Sequence, residues 1–294
     1  MITKFLKRIL RRDPMDRHTQ ANNTSAPKRI PKKSHRIDPH LLSKNAVKVT
    51  HTLQQAGYEA FIVGGAVRDL ALGISPKDFD VATNATPDQV QRLFRKARLI
   101  GRRFQIVHVT FFGKGHPEII EVSTFRALLD NAGDHVAESG RILRDNVWGS
   151  QGEDAARRDF TINAMYYDPS SETVLDYHGG MADMQKKTLR MIGDPAKRYR
   201  EDPVRMLRAV RFAAKTGFEL DGATRAPISE LGTLLNDVPS ARLFDEILKL
   251  LMSGYSWAAI QGLKDAGLHH GLLPLLDHIL DKSEDSKGAN DFVK

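Results

Sequence analysis

A double glycine between an apolar segment and a helical segment is the feature that most restricts the fold of this chain. Residues 59–63 predict a buried strand, and residues 66–72, directly after Gly64 and Gly65, predict a helix. A strand, a glycine turn and a helix N-terminus together predict an α/β domain with an anion site of the size of a phosphate. A double glycine alone is typical of any simple turn, so the prediction depends on the residues that follow.

Two aspartates follow the glycines by about a dozen positions, with Phe79 between them and Val81 after them. Because strand side chains alternate faces, Asp78 and Asp80 are expected to point to one side of a strand while the apolar residues point into a core. Adjacent carboxylates repel each other unless a cation lies between them, so the pair predicts a divalent-metal site. The alternative is a solvated loop end. A phosphate site beside a bound metal is the minimal apparatus for phosphoryl or nucleotidyl transfer.

A third acidic residue, Glu121, lies between apolar residues in the predicted strand 118–122. A carboxylate in such a position is costly unless it is exposed or paired. If a neighbouring strand brings Glu121 to the aspartate pair, it would be a third carboxylate that binds metal or accepts the proton of an attacking hydroxyl. The alternative is a strand charge that faces outward.

Arg157, Arg158 and Asp159 directly precede another apolar segment. Guanidinium groups suit the oxygens of a triphosphate, and the Asp159 carboxylate could accept a hydrogen bond from a ribose hydroxyl. These residues therefore predict a ribonucleotide site. A surface cluster of ion pairs has the same spacing and stays open as the alternative.

Asp202 and Arg205 lie three residues apart at the start of a predicted helix, with Pro203 in its first turn. They share one face and could offer an acceptor and a fork of donors to the edge of a base. Helix capping with an internal ion pair explains the same residues equally well. His178 lies in a glycine-rich turn without a second ligand at a suitable spacing, so we interpret it as a turn residue.

The net charge of +8 belongs to the N-terminal arm and not to the folded body. Residues 1–40 hold 11 Lys and Arg against 3 Asp and Glu, and the rest of the chain holds 33 of each sign. In residues 1–12, apolar residues fall at helical spacing on one face and basic residues fall on the other. This pattern predicts an amphipathic helix that contacts RNA or an anionic membrane surface. A frayed basic tail is the alternative. Residues 13–39 predict a flexible linker.

The amino-acid composition limits the cellular compartments in which this chain is expected to work. The chain has no cysteine, which excludes disulfides and thiolate metal sites and fits a reducing compartment. It has no run of 18 apolar residues, so no membrane-spanning segment is expected. The expected location is the cytoplasm, with the arm able to reach the inner face of the membrane.

The order of predicted elements indicates a basic arm, an α/β head, a helical unit and a polar tail. We place their limits at residues 1–40, 41–180, 181–280 and 281–294. Predicted elements of the head are a helix at 42–56, strands at 106–112, 118–122, 162–167 and 173–175, and a mobile loop at 129–154. Strand signals stop after residue 181, and helices are predicted at 203–215, 241–251 and 257–266.

Six ordered motifs resemble those of class II nucleotidyltransferases of the DNA polymerase β superfamily, which include bacterial poly(A) polymerases and CCA-adding tRNA nucleotidyltransferases. The motifs are GGAVRD (64–69), KDFDVAT (77–83), EIIEVSTFR (118–126), DAARRDFTINA (154–164), REDPVRMLRAVRFAAKTGF (200–218) and PSARLFDEILKLL (239–251). The segment LIGRRFQIVHV (99–109), the basic arm and PSARLF are more similar to the poly(A) polymerase branch. Family members continue further, so the resemblance implies a fragment or a shortened member.

The resemblance implies transfer of AMP from ATP to RNA 3′ ends without a template. Asp78 and Asp80 would bind two Mg²⁺ ions and activate the 3′-hydroxyl, with Asp159 counted among the catalytic residues. The residues expected to bind ATP are Gly64, Gly65 and Arg68 at the pyrophosphate, Asp159 with Arg157 and Arg158 at the ribose and phosphates, and Asp202 and Arg205 at the adenine edge, with Arg208 nearby. CCA addition to tRNA and an inactive RNA-binding fragment are the alternatives.

Overall fold

The computed structural model describes residues 26–101, 105–113, 116–128, 147–270 and 272. The strands are β1 (Lys28–Pro31), β2 (Ala60–Val63), β3 (Asp80–Thr83), β4 (Ala97–Ile100), β5 (Ile106–Phe111), β6 (Glu118–Thr124), β7 (Met165–Asp168), β8 (Thr173–Asp176), β9 (Thr188–Leu189) and β10 (Glu219–Leu220). Short 3-10 helices cover Pro39–Leu41, Thr161–Asn163 and Gly232–Asp237.

The α-helices lie between and after these strands. They are α1 (Lys32–His35), α2 (Lys44–Gln55), α3 (Gly65–Ala71), α4 (Pro87–Leu93), α5 (Gln151–Arg157), α6 (Gly180–Gln185), α7 (Pro195–Glu201), α8 (Val204–Thr216), α9 (Gly222–Arg225), α10 (Pro227–Leu231), α11 (Ser240–Leu251) and α12 (Ser256–Asp265). No helix in the described ranges is both long enough and apolar enough to cross a membrane.

Within the described residues, eight strands form one mixed sheet in the order β1-β8-β7-β2-β3-β6-β5-β4. Neighbouring strands are antiparallel except β3 and β6, which run parallel and place Asp80 beside Glu121. The predicted fold class, an α/β head with a mixed sheet followed by a helical unit, is confirmed.

One face of this sheet carries the larger apolar core of the head. In β6, Ile120 and Val122 are buried, whereas Ile119 and Glu121 are exposed, as expected for a strand with one covered face. The covered face packs against α2 and α4. The opposite face carries Asp80 and Glu121 together with a smaller buried apolar cluster that includes Val63, Ala82 and Tyr166.

Helix α8 is the centre of the helical unit and packs against α11 and α12. Its buried side includes Met206, Leu207 and Val210, and it ends at Gly217, whose φ of 67° suits a left-handed C-cap. The predicted bounds of α8, α11 and α12 are confirmed to within one residue. The expectation that strands stop after residue 181 was wrong, because β9 pairs with β10; two residues each are too short to show a strand periodicity.

The predicted linker also contains structure, because β1 forms the edge of the large sheet. Ile30 is 6% exposed and pairs with Val174 of β8. A single apolar residue among lysine, arginine and proline gives no periodic signal, which explains why the flexible-linker prediction was wrong for residues 28–37. Residues 1–12 lie outside the described part of the chain, so their contact with RNA or a membrane stays a prediction.

Two further predictions differ at their edges. Residues 161–163 form a 3-10 helix, and β7 begins only at Met165. The predicted loop 129–154 overlaps α5, which starts after Ser150 with a capping box that involves Glu153. Residues 129–146 and 281–294 lie outside the described residues, so the remainder of the loop and the polar tail are not described.

Replacing Ile30 by alanine tests whether β1 belongs to the folded head. The change removes a buried side chain and should lower the free energy of unfolding by about 2 to 4 kcal/mol. The control is Arg29→Ala, because Arg29 lies on the same strand and is exposed; it should cost less than about 0.5 kcal/mol. Equal effects of the two changes in urea denaturation would contradict the assignment.

Candidate active site

A cavity of about 490 Å³ lies between the α/β head and the helical unit. Its size is typical of a small-molecule site. Its wall contains more cationic than anionic side chains, which favours a polyanionic ligand. The cationic residues are Arg68, Arg157, Arg158, Arg205, Arg208, Arg211, Lys215 and Arg242, and the carboxylates are Asp80, Asp159, Asp202 and Glu246.

Asp80 is the first residue of β3, whereas Asp78 precedes the strand and is exposed. Phe79 and Val81 are buried, as the alternation predicted, although only one aspartate lies within the strand. Burial, together with the negative charges of Glu121 and Asp78, raises the pKa of Asp80 from 3.8 to about 6, although the charge of Arg158 acts to lower it. The Asp80 carboxylate therefore has more negative charge around it than its protein neighbours neutralise.

Glu121 lies next to Asp80 in the strand register, but an oxygen of its carboxylate is 3.3 Å from His108 Nε2 on β5. Among the residues that the structure describes, no group of three or more acidic, histidine or cysteine side chains is arranged to hold a metal ion. The structure therefore does not gather the predicted three carboxylates into one ligand set, because the Glu121 side chain is exposed and turned towards His108.

Gly64 joins β2 to α3 with φ 71° and ψ −131°, a conformation that glycine adopts without strain. A Cβ atom at this position would lie 3.3 Å from Arg158 Nη1 and 3.9 Å from Asp80 Oδ2. The missing side chain at Gly64 therefore lets the backbone approach two charged groups of the cavity. Gly65 begins α3, and both glycines line the cavity as predicted.

The Arg158 guanidinium is fixed by a buried carboxylate and a buried phenol. It donates to Asp154 Oδ2 from Nη2 at 3.1 Å and to the Tyr166 hydroxyl from Nε at 3.3 Å. The same hydroxyl donates to Asp154 Oδ2 at 2.6 Å. Because its charge and hydrogen bonds with Asp154 and Tyr166 outweigh its burial, the pKa of Arg158 is raised. Arg158 is thus a permanent cation held beside Gly64 and Asp80.

Arg68 and its neighbours form a second buried network. Arg68 donates to Asp69 Oδ1 from Nε at 2.8 Å and to Asn163 Oδ1 from Nη1 at 2.7 Å. Lys215 of α8 donates to Asp69 Oδ2 at 2.9 Å, which ties the helical unit to the head. The Phe212 ring of α8 also contacts this network, because its centroid lies 5.1 Å from the Arg68 guanidinium.

Asp159 accepts hydrogen bonds at both carboxylate oxygens. Oδ2 accepts from Arg208 Nε at 2.8 Å and Nη2 at 2.6 Å, and Oδ1 accepts from Phe160 N at 2.8 Å and Asn163 Nδ2 at 3.3 Å. Although burial opposes it, the Arg208 charge and these hydrogen bonds lower the pKa of Asp159 to about 2. Asp159 is therefore an anion that joins the head to α8.

Asp202 and Arg205 both line the cavity, but they differ in how many of their hydrogen-bonding atoms have partners. Asp202 Oδ2 accepts from Arg242 Nη2 at 2.6 Å, while Asp202 Oδ1 is buried and has no hydrogen-bond partner among the residues that the structure describes. Arg205 Nη1 donates to the Arg198 carbonyl at 2.8 Å and to Glu201 Oε2 at 3.0 Å. Helix capping with an internal ion pair therefore explains the hydrogen bonds of Arg205 Nη1. The Oδ1 atom of Asp202 remains available to accept a hydrogen bond from a ligand.

His178 lies in the turn after β8, where its backbone N–H donates to Asp176 Oδ1 at 3.2 Å. Burial lowers the pKa of its imidazole. Its interpretation as a turn residue is confirmed.

Several cavity residues were not predicted from the sequence. Basic residues recur every three or four positions along α8 and continue past Arg205 and Arg208, a stripe that could have been recognised. Asn163 lies in the motif at 154–164, and Arg242 and Glu246 lie in the motif at 239–251, but the spacing within these motifs did not mark the three side chains as cavity residues. The residues that sequence reasoning missed are Asn163, Arg211, Lys215, Arg242 and Glu246.

Comparison with known proteins relates this site to one family. Residues 60–190 match the model of the poly A polymerase head domain, and residues 217–280 match a model described as "Probable RNA and SrmB- binding site of polymerase A". The poly(A) polymerase I of Salmonella typhimurium is 49% identical over 290 residues, which cover 97% of this chain and 61% of that protein. The chain belongs to the poly(A) polymerase and tRNA nucleotidyltransferase family.

Both branches of the family resemble this chain. The CCA-adding enzyme of Bacillus pumilus is 38% identical over 229 residues, which cover 78% of this chain and 54% of that enzyme. The crystal structure of the Bacillus stearothermophilus CCA-adding enzyme in complex with CTP is similar with a TM-score of 0.67 and 34% identity, over 80% of this chain and 55% of that one. The chain spans 61% of the length of the poly(A) polymerase I relative from Salmonella typhimurium.

Replacing Gly64 by alanine tests the close approach of backbone, Arg158 and Asp80. The new methyl group should displace the Arg158 guanidinium and weaken ATP binding about 10- to 100-fold, the effect of losing a charge-assisted hydrogen bond. Gly73→Ala is the matched control, because Gly73 has φ 73° with no atom within 4 Å of a Cβ. It should cost only stability, about 1 kcal/mol. Equal ATP affinities of the two variants by calorimetry would refute the role of Gly64.

The lowered pKa of Asp159 predicts a pH-dependent contribution to stability. A carboxylate whose pKa falls from 3.8 to about 2 on folding stabilises the folded state fully above about pH 4.5, and this stabilisation is lost as the pH falls towards 2. Asp159→Asn should therefore lower the free energy of unfolding by about 2 kcal/mol or more near pH 6 and by less near pH 3. A difference that stays constant over this pH range in urea denaturation would disprove the prediction.

Proposed function

We propose that this chain transfers AMP from ATP to the 3′ ends of RNA without a template, in the cytoplasm of a bacterium. The observation that carries the proposal is the 49% identity to a poly(A) polymerase I over 97% of the chain, with its motif residues around one cationic cavity. The matched family model for residues 217–280 supports RNA as the acceptor.

Asp78 and Asp80 would hold Mg²⁺, with two ions expected by resemblance. The fit rests on Asp80, whose pKa is raised to about 6 by burial and by neighbouring carboxylates, so a cation there would relieve an unfavourable charge. Carboxylate oxygens are also the ligands that Mg²⁺ prefers. When bound, Mg²⁺ would act as a Lewis acid that favours ionisation of the primer hydroxyl and neutralises charge at the phosphate. The negative charge of Glu121 contributes to the raised pKa of Asp80, but its exposed carboxylate is turned towards His108, so we do not assign it as a ligand of the ion.

The cavity wall offers a group for each part of ATP. Arg158 and Arg68 would bind the phosphates, because both guanidiniums are held rigidly and line the cavity beside Gly64 and Gly65. Arg157 also lines the cavity and would add a further cation. The free Oδ1 atom of Asp202 would accept a hydrogen bond from the exocyclic amine of adenine. Arg205 and Arg208, which also line the cavity, would be donors to the base nearby.

These residues would align the two reacting groups. The primer 3′-oxygen would attack the α-phosphorus of ATP, the new P–O bond would extend the RNA by one AMP, and the bond to pyrophosphate would break. Arg68 and Arg158 would hold the departing pyrophosphate, since fixed cations stabilise charge that develops on the leaving group. Catalysis would therefore come chiefly from positioning and electrostatics.

Single-nucleotide incorporation into an oligo(A) primer and into a tRNA that lacks CCA tests the proposal. ATP should extend both RNAs, and CTP should be used poorly on either. Asp80→Asn should reduce the rate by about a thousandfold or more, whereas Asp88→Asn, which changes an exposed carboxylate of α4, should leave it unchanged.

Two outcomes would overturn the proposal. CTP incorporation confined to the tRNA would indicate CCA addition. RNA binding with no incorporation, and with no effect of Asp80→Asn, would indicate an inactive RNA-binding protein.

A further inference from the structure

A group of exposed cations lies at the start of the described chain, on β1, on α1 and directly after α1. They are Lys28, Arg29, Lys32, Lys33 and Arg36. Lys32 forms an ion pair with Glu172 at 2.7 Å. The other four, which we call the β1 patch, form no ion pair with any residue that the structure describes. The patch therefore offers four cations to a partner.

Packing holds the backbone of the β1 patch in place. Strand β1 pairs with β8 along all four of its residues. The buried His35 follows on α1, where its Nε2 donates to the Glu172 carbonyl at 2.9 Å and its Nδ1 accepts from Ile37 N at 3.0 Å. The ring of His35 also packs edge-on against Tyr167, with 5.7 Å between the centroids. Because this backbone is already ordered, binding would cost only the ordering of the patch side chains.

The carboxylates closest to the patch have other partners. Glu172 binds Lys32 through both of its oxygens, at 2.7 and 3.0 Å. Asp176 is buried and accepts from the four backbone N–H groups of residues 178–181. Asp38 caps the 3-10 helix that follows it. An exposed excess of positive charge of this kind attracts a polyanion.

The sheet register relates the patch to the proposed catalytic carboxylate. Across the strands from β1 to β3, the directly opposed residues are Arg29, Leu175, Tyr166, Val63 and Asp80. Directly opposed residues lie on one face of a sheet, so Arg29 and Asp80 share a face. Four strand intervals of about 4.8 Å separate them, which amounts to about 19 Å.

Helix α5 covers the sheet between these two points, because Ala155 packs in the same apolar cluster as Tyr166 and Leu175. An RNA strand with its 3′ end at Asp80 would reach the patch over the outside of α5. A stacked strand rises about 3.4 Å per nucleotide, so about six nucleotides span 19 Å. The patch thus lies at the distance of phosphates several nucleotides before the 3′ end.

A membrane surface suits the patch less well than RNA. Interfacial binding needs apolar side chains that enter the lipid as well as cations. In residues 26–40, no large apolar side chain is exposed, and Ile30 and Ile37 are both buried in the core.

We propose that the β1 patch binds the sugar–phosphate backbone of the acceptor RNA about six nucleotides before its 3′ end. Cations that contact phosphates add affinity without reading the sequence of the RNA. The inference rests on the proposed function, because it takes RNA as the acceptor, and it concerns a surface outside the nucleotide cavity.

Equilibrium binding of a labelled oligo(A) of fifteen nucleotides, measured without ATP over a range of salt concentrations, tests the contact. The variant combines Lys28→Gln, Arg29→Gln, Lys33→Gln and Arg36→Gln. Its affinity for the RNA should fall about tenfold or more at low salt. The slope of log affinity against log salt should become shallower by about two to three, since each phosphate contact on a single strand contributes about 0.7.

Primer length tests where the contact lies along the RNA. In single-nucleotide addition, the variant should raise the KM for the fifteen-nucleotide primer and leave the KM for a three-nucleotide primer unchanged, because the short primer does not extend from Asp80 to the patch. The kcat and the KM for ATP should not change. An equal effect on both primers would contradict the proposed position.

A matched control removes the same number of charges from other exposed positions. It combines Lys44→Gln, Lys186→Gln, Lys187→Gln and Lys197→Gln. The control should bind the fifteen-nucleotide RNA within about threefold of the unchanged protein, since exposed charges away from the RNA act only at long range. Equal losses in the two variants would show an effect of net charge alone and would refute the patch. Urea denaturation should give both variants the stability of the unchanged protein to within about 1 kcal/mol.

The remaining outcomes separate this inference from its rivals. If the patch variant keeps full RNA affinity but no longer sediments with vesicles of anionic phospholipid, the patch is a membrane contact and the inference is wrong. If the unchanged protein adds no nucleotide to any primer, the transferase proposal fails, and the binding measurement still decides whether the patch contacts RNA.

Discussion

The rest of the site depends on one electrostatic constraint: the carboxylate of Asp80 is buried beside other negative charges. Burial and the carboxylates of Glu121 and Asp78 raise its pKa to about 6, and Arg158 compensates only in part. Hydrogen bonds with Asp154 and Tyr166 hold the Arg158 guanidinium in its position beside Asp80. A site with this charge balance favours a bound cation, which in turn favours a phosphate ligand on the arginine side of the cavity.

The cavity exists because charged pairs hold the helical unit to the head. Arg208 binds Asp159, Lys215 binds Asp69, and Arg198 donates to the backbone carbonyls of residues 157 and 158 at 2.6 Å each. Removing one partner of a buried pair leaves an uncompensated charge, so these bridges help to hold the two parts together beside the apolar core that the parts share. The proposed nucleotide site and the junction between head and helical unit are therefore built from the same residues.

Local patterns predicted the elements that carry the site, and tertiary contacts decided how its residues are used. The Gly64 turn, the Asp80 strand and the bounds of α8 follow from periodicity and turn chemistry. The saturation of the Asp159 carboxylate does not follow from them, because Arg208, which donates two of its hydrogen bonds, lies 49 residues further along the chain. Strand β1 was missed for a related reason, since only its pairing with β8 makes residues 28–31 a strand.

Calorimetric titration of ATP in the presence and absence of Mg²⁺ tests the central claim most directly. If the Asp78 and Asp80 carboxylates provide the cation site, ATP should bind the unchanged protein about tenfold or more tightly with Mg²⁺ present, and Asp80→Asn should remove most of this gain. Magnesium-independent ATP binding, or a gain that survives the loss of the Asp80 charge, would contradict the account.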